Sequence, residues 1–402
     1  MMFINKQKSS IPVSRDLKLL LLIGGLYALA TFLSNTFVNV FLWKKSGEYL
    51  DIATYNLFIY IIQPIAFFIA GKFAKKVDRA LILRVGVIVL SLFYIVVLLF
   101  GDKATTYPYL LGGLLGLGYG FYWLSFNVLT FEITEPETRD LFNGSLGTFQ
   151  SFGGMIGPLF AGYIISNLNN FTGYTVIFLL SFLLFGIAVV CSFYLQKRKA
   201  TGKFIFREVL EERKRNKNWN YILLAHIAQG MREGLFIFII AIWVYIETGS
   251  EFALGVFNLL FSFCSLICYM LISKLIKSNY RKRMMLFGGL SLYFAIAIFV
   301  FQTNYVMLLI YGVIVGLSYP VFNVPFISLT YDIIGKANKA RKLRIEYIIV
   351  REIYVNAGRI AAITIFIIGV SYLKPSFIIP ILILSLGSGN LIASLLIRKT
   401  VN

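Results

Sequence analysis

Charged residues interrupt two long apolar stretches of this sequence, and charges in such places are well suited to chemistry. Arg232 and Glu233 stand about half-way along the apolar run 219–246. If this run crosses a membrane, each charge costs ~3 kcal/mol on insertion scales unless it faces an interior cavity and has a partner. A carboxylate in such a cavity can take up and release a proton, because burial and neighbouring charges tune its proton affinity.

The apolar run 345–370 carries a second group of polar residues. Glu352, Asn356 and Arg359 lie within about 60° of one another on a helix that turns about 100° per residue, so they share one face. Such a face suits the lining of an interior cavity.

These two groups form our candidate site for substrate binding or proton coupling. We hypothesise that Glu233 pairs with Arg232, and Glu352 with Arg359, to line a charged cavity. Either carboxylate would then be the proton carrier. The alternative is that the pairs are internal salt bridges that only hold helices together.

Polar and aromatic residues in other apolar runs are further candidates for substrate contacts. Most of them fall on helical stripes that recur in the two parts of the chain, and ordinary packing is the alternative for each. They are Asn35, Tyr119, Trp123, Asn127, Tyr319 and Asn323.

The apolar stretches that must position these residues make up most of the chain. Of its 402 residues, 58% are hydrophobic and 14% charged, whereas soluble domains are roughly half apolar and a quarter charged. The apolar runs are long enough to cross ~30 Å of hydrocarbon as helices. They predict an all-α polytopic membrane protein with twelve transmembrane helices, at 17–42, 51–73, 81–100, 106–131, 141–166, 173–195, 219–246, 252–273, 284–302, 304–331, 345–370 and 375–397.

The net charge of +20 is distributed unevenly between the loops. Most Lys and Arg residues fall in alternate loops, and the loops between those hold only Lys44, Lys45, Lys103 and Lys374. This asymmetry predicts a multi-pass protein of the cell membrane with both termini in the cytoplasm. It argues against nucleic acid as the partner of the positive charge. The Lys-, Ile- and Phe-rich composition is typical of a bacterial chain.

The second part of the chain repeats the first at an offset of about 200 residues. Repeats of this kind are found in transporters built from two parallel halves of six helices each. Residues 116–119 recur as 316–319, and residues 126–132 recur as 326–332. We therefore expect two pseudo-symmetric six-helix halves, 1–195 and 219–402. The connector 196–218 mixes charges with apolar residues and is expected to form an amphipathic helix on the inner leaflet.

A basic stretch and a glycine-rich run resemble motifs of the major facilitator superfamily. In the stretch 71–79, Gly71 and Arg79 match the signature of that family, while Lys75 replaces its Asp and Asp78 its second Gly. The fifth run also resembles the motif of the antiporters in the family, and its matching residues, which suit helix packing, include Gly153, Gly157 and Pro158. This resemblance covers essentially the whole chain and implies transport by alternating access, with export slightly favoured.

The same resemblance implies a cytoplasmic gate near the basic stretch. Arg79 and Glu132 stand at the cytoplasmic ends of neighbouring runs, and Arg281 and Asp332 occupy the same places in the repeat. In the family, charges of this loop latch the two halves together. We expect Gly71 and these two ion pairs to form that latch.

Groups that enzymes and metal sites need are scarce in this sequence. His226 is the single histidine, and Cys191, Cys264 and Cys268 all lie in apolar runs. One histidine and scattered cysteines do not suit a metal site or a Ser-His-Asp centre, and no phosphate-binding P-loop is present. We expect no enzymatic activity, metal or cofactor.

The sequence therefore predicts a secondary transporter that moves a small organic solute by alternating access, coupled to protons. We expect a monomer. Two alternatives stay open: an uptake symporter for a charged or zwitterionic nutrient, whose carboxylate or phosphate the arginines would suit, and a transporter-like sensor or assembly protein that moves nothing.

Overall fold

Helices account for every regular element in the part of the chain that the computed structural model describes. That part comprises residues 14–133, 136–168, 171–198, 202–275, 278–298, 304–337, 339–340 and 342–400. The helices are α1 (Arg15–Ser46), α2 (Tyr49–Ala74), α3 (Arg79–Phe100), α4 (Pro108–Ile133), α5 (Pro136–Asn167), α6 (Thr172–Phe193), α7 (Phe206–Arg215), α8 (Lys217–Thr248), α9 (Glu251–Leu275), α10 (Arg281–Phe294), α11 (Tyr305–Lys336), α12 (Arg344–Tyr372), α13 (Pro375–Gly387) and α14 (Gly389–Arg398).

A helix lies at the position of each predicted span, although the count is less simple than the sequence suggests. Among the described residues, nine helical segments are long and apolar enough to cross a membrane, with α13 and α14 taken together. α4, α5 and α10 occupy the other three positions. α10 has only 14 residues before a 3₁₀ turn follows, which is about 21 Å of helix at 1.5 Å per residue. The all-α membrane fold is confirmed, while the count of twelve spanning helices is not exact.

Local sequence signals set several helix ends, and some of these signals repeat. Ser14 begins α1 by accepting a hydrogen bond from the Leu17 N–H, and Asp78 begins α3 by accepting one from Ala80. Gly47 ends α1 and Gly249 ends α8, both in the left-handed conformation with φ of 69° and 62°. These glycines are about 200 residues apart, so the repeat extends to backbone conformation.

We call α1–α6 the first half and α8–α14 the second half. The short helix α7 lies in the predicted connector and buries Val209 completely. Lys339 binds Glu208 of α7 at 2.7 Å, and Arg213 donates a hydrogen bond to the Tyr354 hydroxyl at 2.7 Å. Connector helix α7 is thereby fixed to the second half.

Glycines let two helix pairs that matter for the site approach backbone to backbone. Between α8 and α12, a Cβ at Gly358 would lie 2.1 Å from the Ile227 carbonyl oxygen, and one at Gly230 would lie 2.1 Å from that of Val355. Between α5 and α9, a Cβ at Gly162 would lie 2.4 Å from the Glu251 carbonyl oxygen. α8 and α12 belong to one half, whereas α5 and α9 join the two halves.

Two of the glycines predicted for helix packing fit against α1. A Cβ at Gly157 would stand 3.0 Å from the Leu33 nitrogen, and one at Gly153 would stand 3.4 Å from that of Leu29. The Pro158 carbonyl is the neighbour of Gly255 of α9, at 2.7 Å from the position of its absent Cβ. α5 thus contacts both halves through this segment.

We predict that Gly358→Ala destabilises the protein by about 1–3 kcal/mol, because the added methyl group forces α8 and α12 apart. The matched control is Gly186→Ala in α6, where a Cβ meets nothing within 4 Å. Alanine in an open helical position gains up to about 1 kcal/mol over glycine. Thermal unfolding in detergent should therefore show the two substitutions moving the melting temperature in opposite directions.

Candidate functional site

An ion pair between α8 and α12 forms the centre of the candidate site. Arg359 donates from Nη2 to Oε2 of Glu233 at 2.6 Å and from Nε to the same oxygen at 3.2 Å. The side chains are each 19% exposed. Gln229, one turn before Glu233, donates to its Oε1 at 2.8 Å, and Arg359 also donates to Asn356 at 3.3 Å. Four of the polar residues on the two helices are thus one network.

The partners within this network differ from those that we expected. Glu352 forms an ion pair with the adjacent Arg351 and not with Arg359. Glu233 pairs across to Arg359 of α12 and not with Arg232, whose side chain lies against Phe236 and Gly389 instead. The pairing of Glu233 with Arg232 and of Glu352 with Arg359 was therefore wrong, although Glu233 and Arg359 do meet.

The network lies where the two halves meet. The Arg359 guanidinium stands 4.9 Å from the centre of the Tyr60 ring, which belongs to α2 of the first half. Such a cation–π contact attracts without forming a hydrogen bond. Tyr49 of α2 and Phe366 of α12 also meet across the halves, with ring centroids 6.1 Å apart. Arg359 thus connects a carboxylate of its own half to an aromatic ring of the other.

Of the predicted residues on α11, one lies near this network. Tyr319 is close enough to interact electrostatically with Glu233 and Arg359. Asn323, one turn further on, instead lies close to Tyr269 of α9. The structure thus separates two residues that the sequence placed together.

The predicted residues of α4 gather around a tyrosine of α1 that the sequence analysis missed. Trp123 donates from Nε1 to the Tyr27 hydroxyl at 3.0 Å. Tyr27 stacks on Tyr122 with ring centroids 4.0 Å apart, and the Tyr119 ring lies 6.5 Å from it. Tyr27 stands about 200 residues before Gln229, so the repeat was a signal that could have identified it.

The two remaining predicted residues stand apart from these groups. Asn127 of α4 and Asn35 of α1 are both half-buried. Each is one turn or more away from the aromatic residues around Tyr27 along its own helix.

Both ion pairs predicted for the cytoplasmic gate are present, but each joins helices of one half. Arg79 contacts Glu132 at 2.8 Å, between the start of α3 and the end of α4. Arg281 contacts Asp332 at 2.6 Å, between the start of α10 and the end of α11. As they do not cross between the halves, these pairs cannot by themselves hold the halves together.

Lys75, which had been noted only as a departure from the family signature, makes the crossing contact. Its ammonium group lies 3.1 Å from Glu346 at the start of α12, with side-chain exposures of 7% and 0%. It also donates to the carbonyl of Lys342 at 3.0 Å. Glu346 accepts a further hydrogen bond from the Ile205 N–H of the connector, at 3.2 Å. Nearby, Gly71 lies directly against Ile349.

We call this contact the inner bridge, since it lies at the end of the bundle that the charge pattern predicts to be cytoplasmic. A cavity of about 1060 Å³ opens beside it, and its lining includes Lys75, Arg79, Val128 and Glu132. Because Lys75 and Glu346 are almost completely buried, water screens their attraction only weakly, and a charge that stays buried without its partner is costly. The inner bridge therefore holds the halves together at this end.

A second crossing ion pair lies at the opposite end, and we call it the outer bridge. Lys44, near the end of α1, contacts Glu251 at the start of α9 at 2.7 Å. Glu251 is 5% exposed and accepts a further hydrogen bond from the Tyr174 hydroxyl at 2.8 Å. The halves are therefore joined by one buried carboxylate at each end.

Among the described residues, no three His, Cys, Asp or Glu side chains are grouped so that they could hold a metal ion. The network instead offers carboxylates, guanidinium groups and amides. Such groups can bind a polar or charged organic solute and can exchange a proton.

Comparison with known proteins identifies one family. The model of the Major Facilitator Superfamily matches residues 20–343. The chain is 52% identical over 387 residues to "Uncharacterized protein YqgE" of Bacillus subtilis (strain 168), covering 96% of this chain and 90% of that protein. It is 53% identical over 207 residues to "Uncharacterized protein in sodM 3'region" of Geobacillus stearothermophilus, covering 51% of this chain and 97% of the relative.

Solved structures with the same fold include a bacterial homologue of the iron transporter ferroportin. Its inward-facing state gives a TM-score of 0.73 at 16% identity, covering 96% of this chain and 98% of the other. Its outward-facing state gives a TM-score of 0.70 at 16% identity, covering 96% and 99%. At this level of identity the likeness shows the fold alone.

We predict that Arg359→Met lowers stability by roughly 2–3 kcal/mol, because Glu233 is left charged without its partner. This is less than expected for a fully buried pair, since each side chain is 19% exposed. Adding Glu233→Gln should recover most of the loss. The double-mutant cycle is measured by thermal unfolding, and Arg207→Met, on the exposed face of α7, is the control that should change nothing. Additive losses would show that the pair does not couple.

Proposed function

This chain belongs to the Major Facilitator Superfamily, and on that premise we propose that it moves a small organic solute across the cell membrane in exchange for protons, with export as its direction. The family and fold make the chain a membrane transporter and not an enzyme. The observation that carries the proposal is the Glu233–Arg359 network at the junction of the halves. The Glu233 carboxylate can gain or lose a proton, and it lies where the two halves meet, which must move relative to each other during transport.

The two bridges supply the means of alternating access. One buried ion pair closes each end, through Lys75 and Glu346 at the inner end and Lys44 and Glu251 at the outer end. Opening one end requires one of these pairs to separate while the other stays closed. The contact of Gly255 of α9 with the Pro158 carbonyl of α5 can act as the pivot, because it joins the halves without a residue of either bridge.

The network would couple this motion to protons. In the ion-paired state, Arg359 is held between Glu233 and the ring of Tyr60. A proton on Glu233 removes its charge and releases the guanidinium, and a solute that supplies its own polar groups releases it as well. A transporter that changes state only when a proton or a solute is bound performs exchange. This is the behaviour expected of an antiporter.

A second candidate is uptake of a charged nutrient together with a proton. The observation that favours it is a surplus of guanidinium groups on α8 and α12: Arg351 and Arg359 pair with Glu352 and Glu233, and Arg232 is a third guanidinium group. A proton on Glu233 would free Arg359 for an anionic solute, and both would then move together.

The solved structures of similar fold carry titles that name iron and metal transport. We do not extend that cargo to this chain. The described residues contain no group of metal-ligating side chains, and the one carboxylate of the network, Glu233, is already paired with the Arg359 guanidinium.

We expect the exchange to be visible as proton movement driven by solute. The protein is reconstituted into vesicles with an acidic lumen and an internal pH dye, and solutes found by a thermal-shift screen are added outside. Exchange predicts that the lumen becomes alkaline as solute enters, whereas symport predicts further acidification. Glu233→Gln should reduce the proton signal to that of empty vesicles, while Glu208→Gln on α7 should leave it intact. A solute flux without any proton movement would refute proton coupling.

We further predict that breaking the inner bridge opens the inner end. In a cysteine-free background, Val128→Cys places a thiol at the inner cavity, where valine is 6% exposed. Adding Lys75→Glu should raise its rate of reaction with a water-soluble maleimide about ten-fold, which corresponds to ~1.4 kcal/mol.

The charge swap Lys75→Glu with Glu346→Lys should return the rate toward that of the parent. Arg281→Glu breaks a pair within one half and should leave the rate unchanged. Equal effects of Lys75→Glu and Arg281→Glu would contradict a specific bridge at Lys75.

A further inference from the structure

Arg232 is a buried cation that the proposed mechanism does not use. It lies on α8 beside Glu233, but its side chain points into the second half, and its residue is 5% exposed. The Phe236 ring centre stands 4.6 Å from its guanidinium carbon. Tyr311 of α11 is close enough to interact with it electrostatically, and Gly389 of α14 lies against its Cβ. Three helices of the second half therefore surround this charge.

One edge of the Arg232 guanidinium has no hydrogen-bond partner within the described ranges. The two nitrogens concerned, Nε and Nη2, are both buried. Nor do the ion pairs formed by the described residues include one to Arg232. The Nε and Nη2 groups of an arginine lie side by side, and this edge binds a carboxylate or phosphate through two parallel hydrogen bonds.

Arg359 shows how the same edge behaves when it is occupied. Its Nε and Nη2 donate to one oxygen of Glu233, at 3.2 and 2.6 Å. The two arginines are on packed helices of the same half and differ in this respect. Among the described residues, the Nε–Nη2 edge of Arg359 thus has a carboxylate partner, whereas the same edge of Arg232 has none.

The charge balance of the interior points in the same direction. Arg351 and Arg359 each have a carboxylate, and Arg232 is the third guanidinium group. A buried charge without a counter-charge is costly in an apolar interior. An anionic ligand would provide the missing charge and the missing hydrogen-bond acceptors together.

We propose that the Nε–Nη2 edge of Arg232 binds the anionic head group, a carboxylate or a phosphate monoester, of the transported solute. Phe236 supplies an apolar aromatic wall, and Tyr311 supplies a hydroxyl beside the guanidinium. This inference rests on the proposed function, because it assigns the bound anion to the solute that the protein carries. It makes the cargo an organic anion or zwitterion.

The competing explanation is that Arg232 only joins helices, through Phe236 and Tyr311. Binding of small anions to the purified full chain in detergent separates the two explanations. The probes are acetate, butyrate, benzoate, methyl phosphate and phenyl phosphate. Each is compared by thermal shift and isothermal titration with a neutral counterpart: acetamide, butyramide and benzamide for the carboxylates, and the parent alcohols methanol and phenol for the phosphates.

We expect at least one anion to bind the wild-type chain and raise its melting temperature, while its neutral counterpart does neither. Carboxylate and phosphate probes in the same series identify the preferred head group. Arg232→Gln should weaken the binding ten-fold or more, and Arg232→Lys should fall between, because lysine keeps the charge but lacks the two-nitrogen edge. Arg207→Gln, which removes a surface arginine, should bind as the wild type does.

Two outcomes would overturn the inference: no anion binds better than its neutral counterpart, or Arg232→Gln binds the anion as tightly as the wild type. Should Arg232→Gln fail to fold, Arg232→Lys decides the question, since an unchanged affinity there excludes the two-nitrogen edge. Failure of the transport proposal gives a different result, in which anions bind through Arg232 but vesicles show no flux. If the protein transports a neutral solute and Arg232→Gln does not change that flux, the anion site is refuted while the transport proposal holds.

Discussion

The high cost of placing a charge in an apolar bundle governs how this protein is put together. Lys75 with Glu346, Lys44 with Glu251, and Arg359 with Glu233 each join helices that are distant in the sequence. A buried ion pair is rarely more stable than well-packed apolar residues of similar volume. Stability alone therefore does not explain these pairs. Their value lies in specificity and reversibility, because such a pair holds two surfaces in one register and can still separate when a proton or another charge competes.

The backbone contacts determine which of these pairs can separate. α8 and α12 approach so closely at Gly230 and Gly358 that they are expected to move together, which keeps Glu233 within reach of Arg359. By contrast, the bridges at the two ends are made by side chains of helices that belong to different halves. The halves also meet at the glycine contact between α5 and α9. A rigid pair inside one half, a pivot between the halves and a bridge at each end are the parts that alternating access requires.

Much of the architecture followed from the sequence because the bilayer imposes strong rules on composition. Run length and apolar content located the helices, and the repeat identified equivalent positions such as Gly47 and Gly249. The family assignment, which the motifs suggested, was confirmed by the match over residues 20–343. The number of spanning helices was less exact, because α10 stops after 14 residues and the last span is broken into α13 and α14.

The partners of the charged residues were the part that could not be read from the sequence. Helical periodicity assigns residues to a face, but it does not say which helix that face meets. Glu233 and Arg359 were both selected, yet each was given the wrong partner. Lys75 was identified only as a departure from the family signature, and its partner Glu346, at the start of an apolar run, was not selected at all. Only the packing of α2 against α12 shows that Lys75 forms the inner bridge.

The repeat also shows how one scaffold supports two kinds of chemistry. Tyr27 and Gln229 are equivalent positions, as are Tyr119 and Tyr319, and Trp123 and Asn323. In the first half these positions form a group of aromatic rings with one hydrogen bond between Trp123 and Tyr27. In the second half Gln229 instead donates to Glu233 and so belongs to the charged network. Similar backbones allow the halves to exchange between two arrangements, and unlike side chains place the Glu233–Arg359 ion pair in one half only. In the exchange that we propose, a proton on Glu233 would act on the second half directly and would affect the first through Tyr60, the ring beside Arg359.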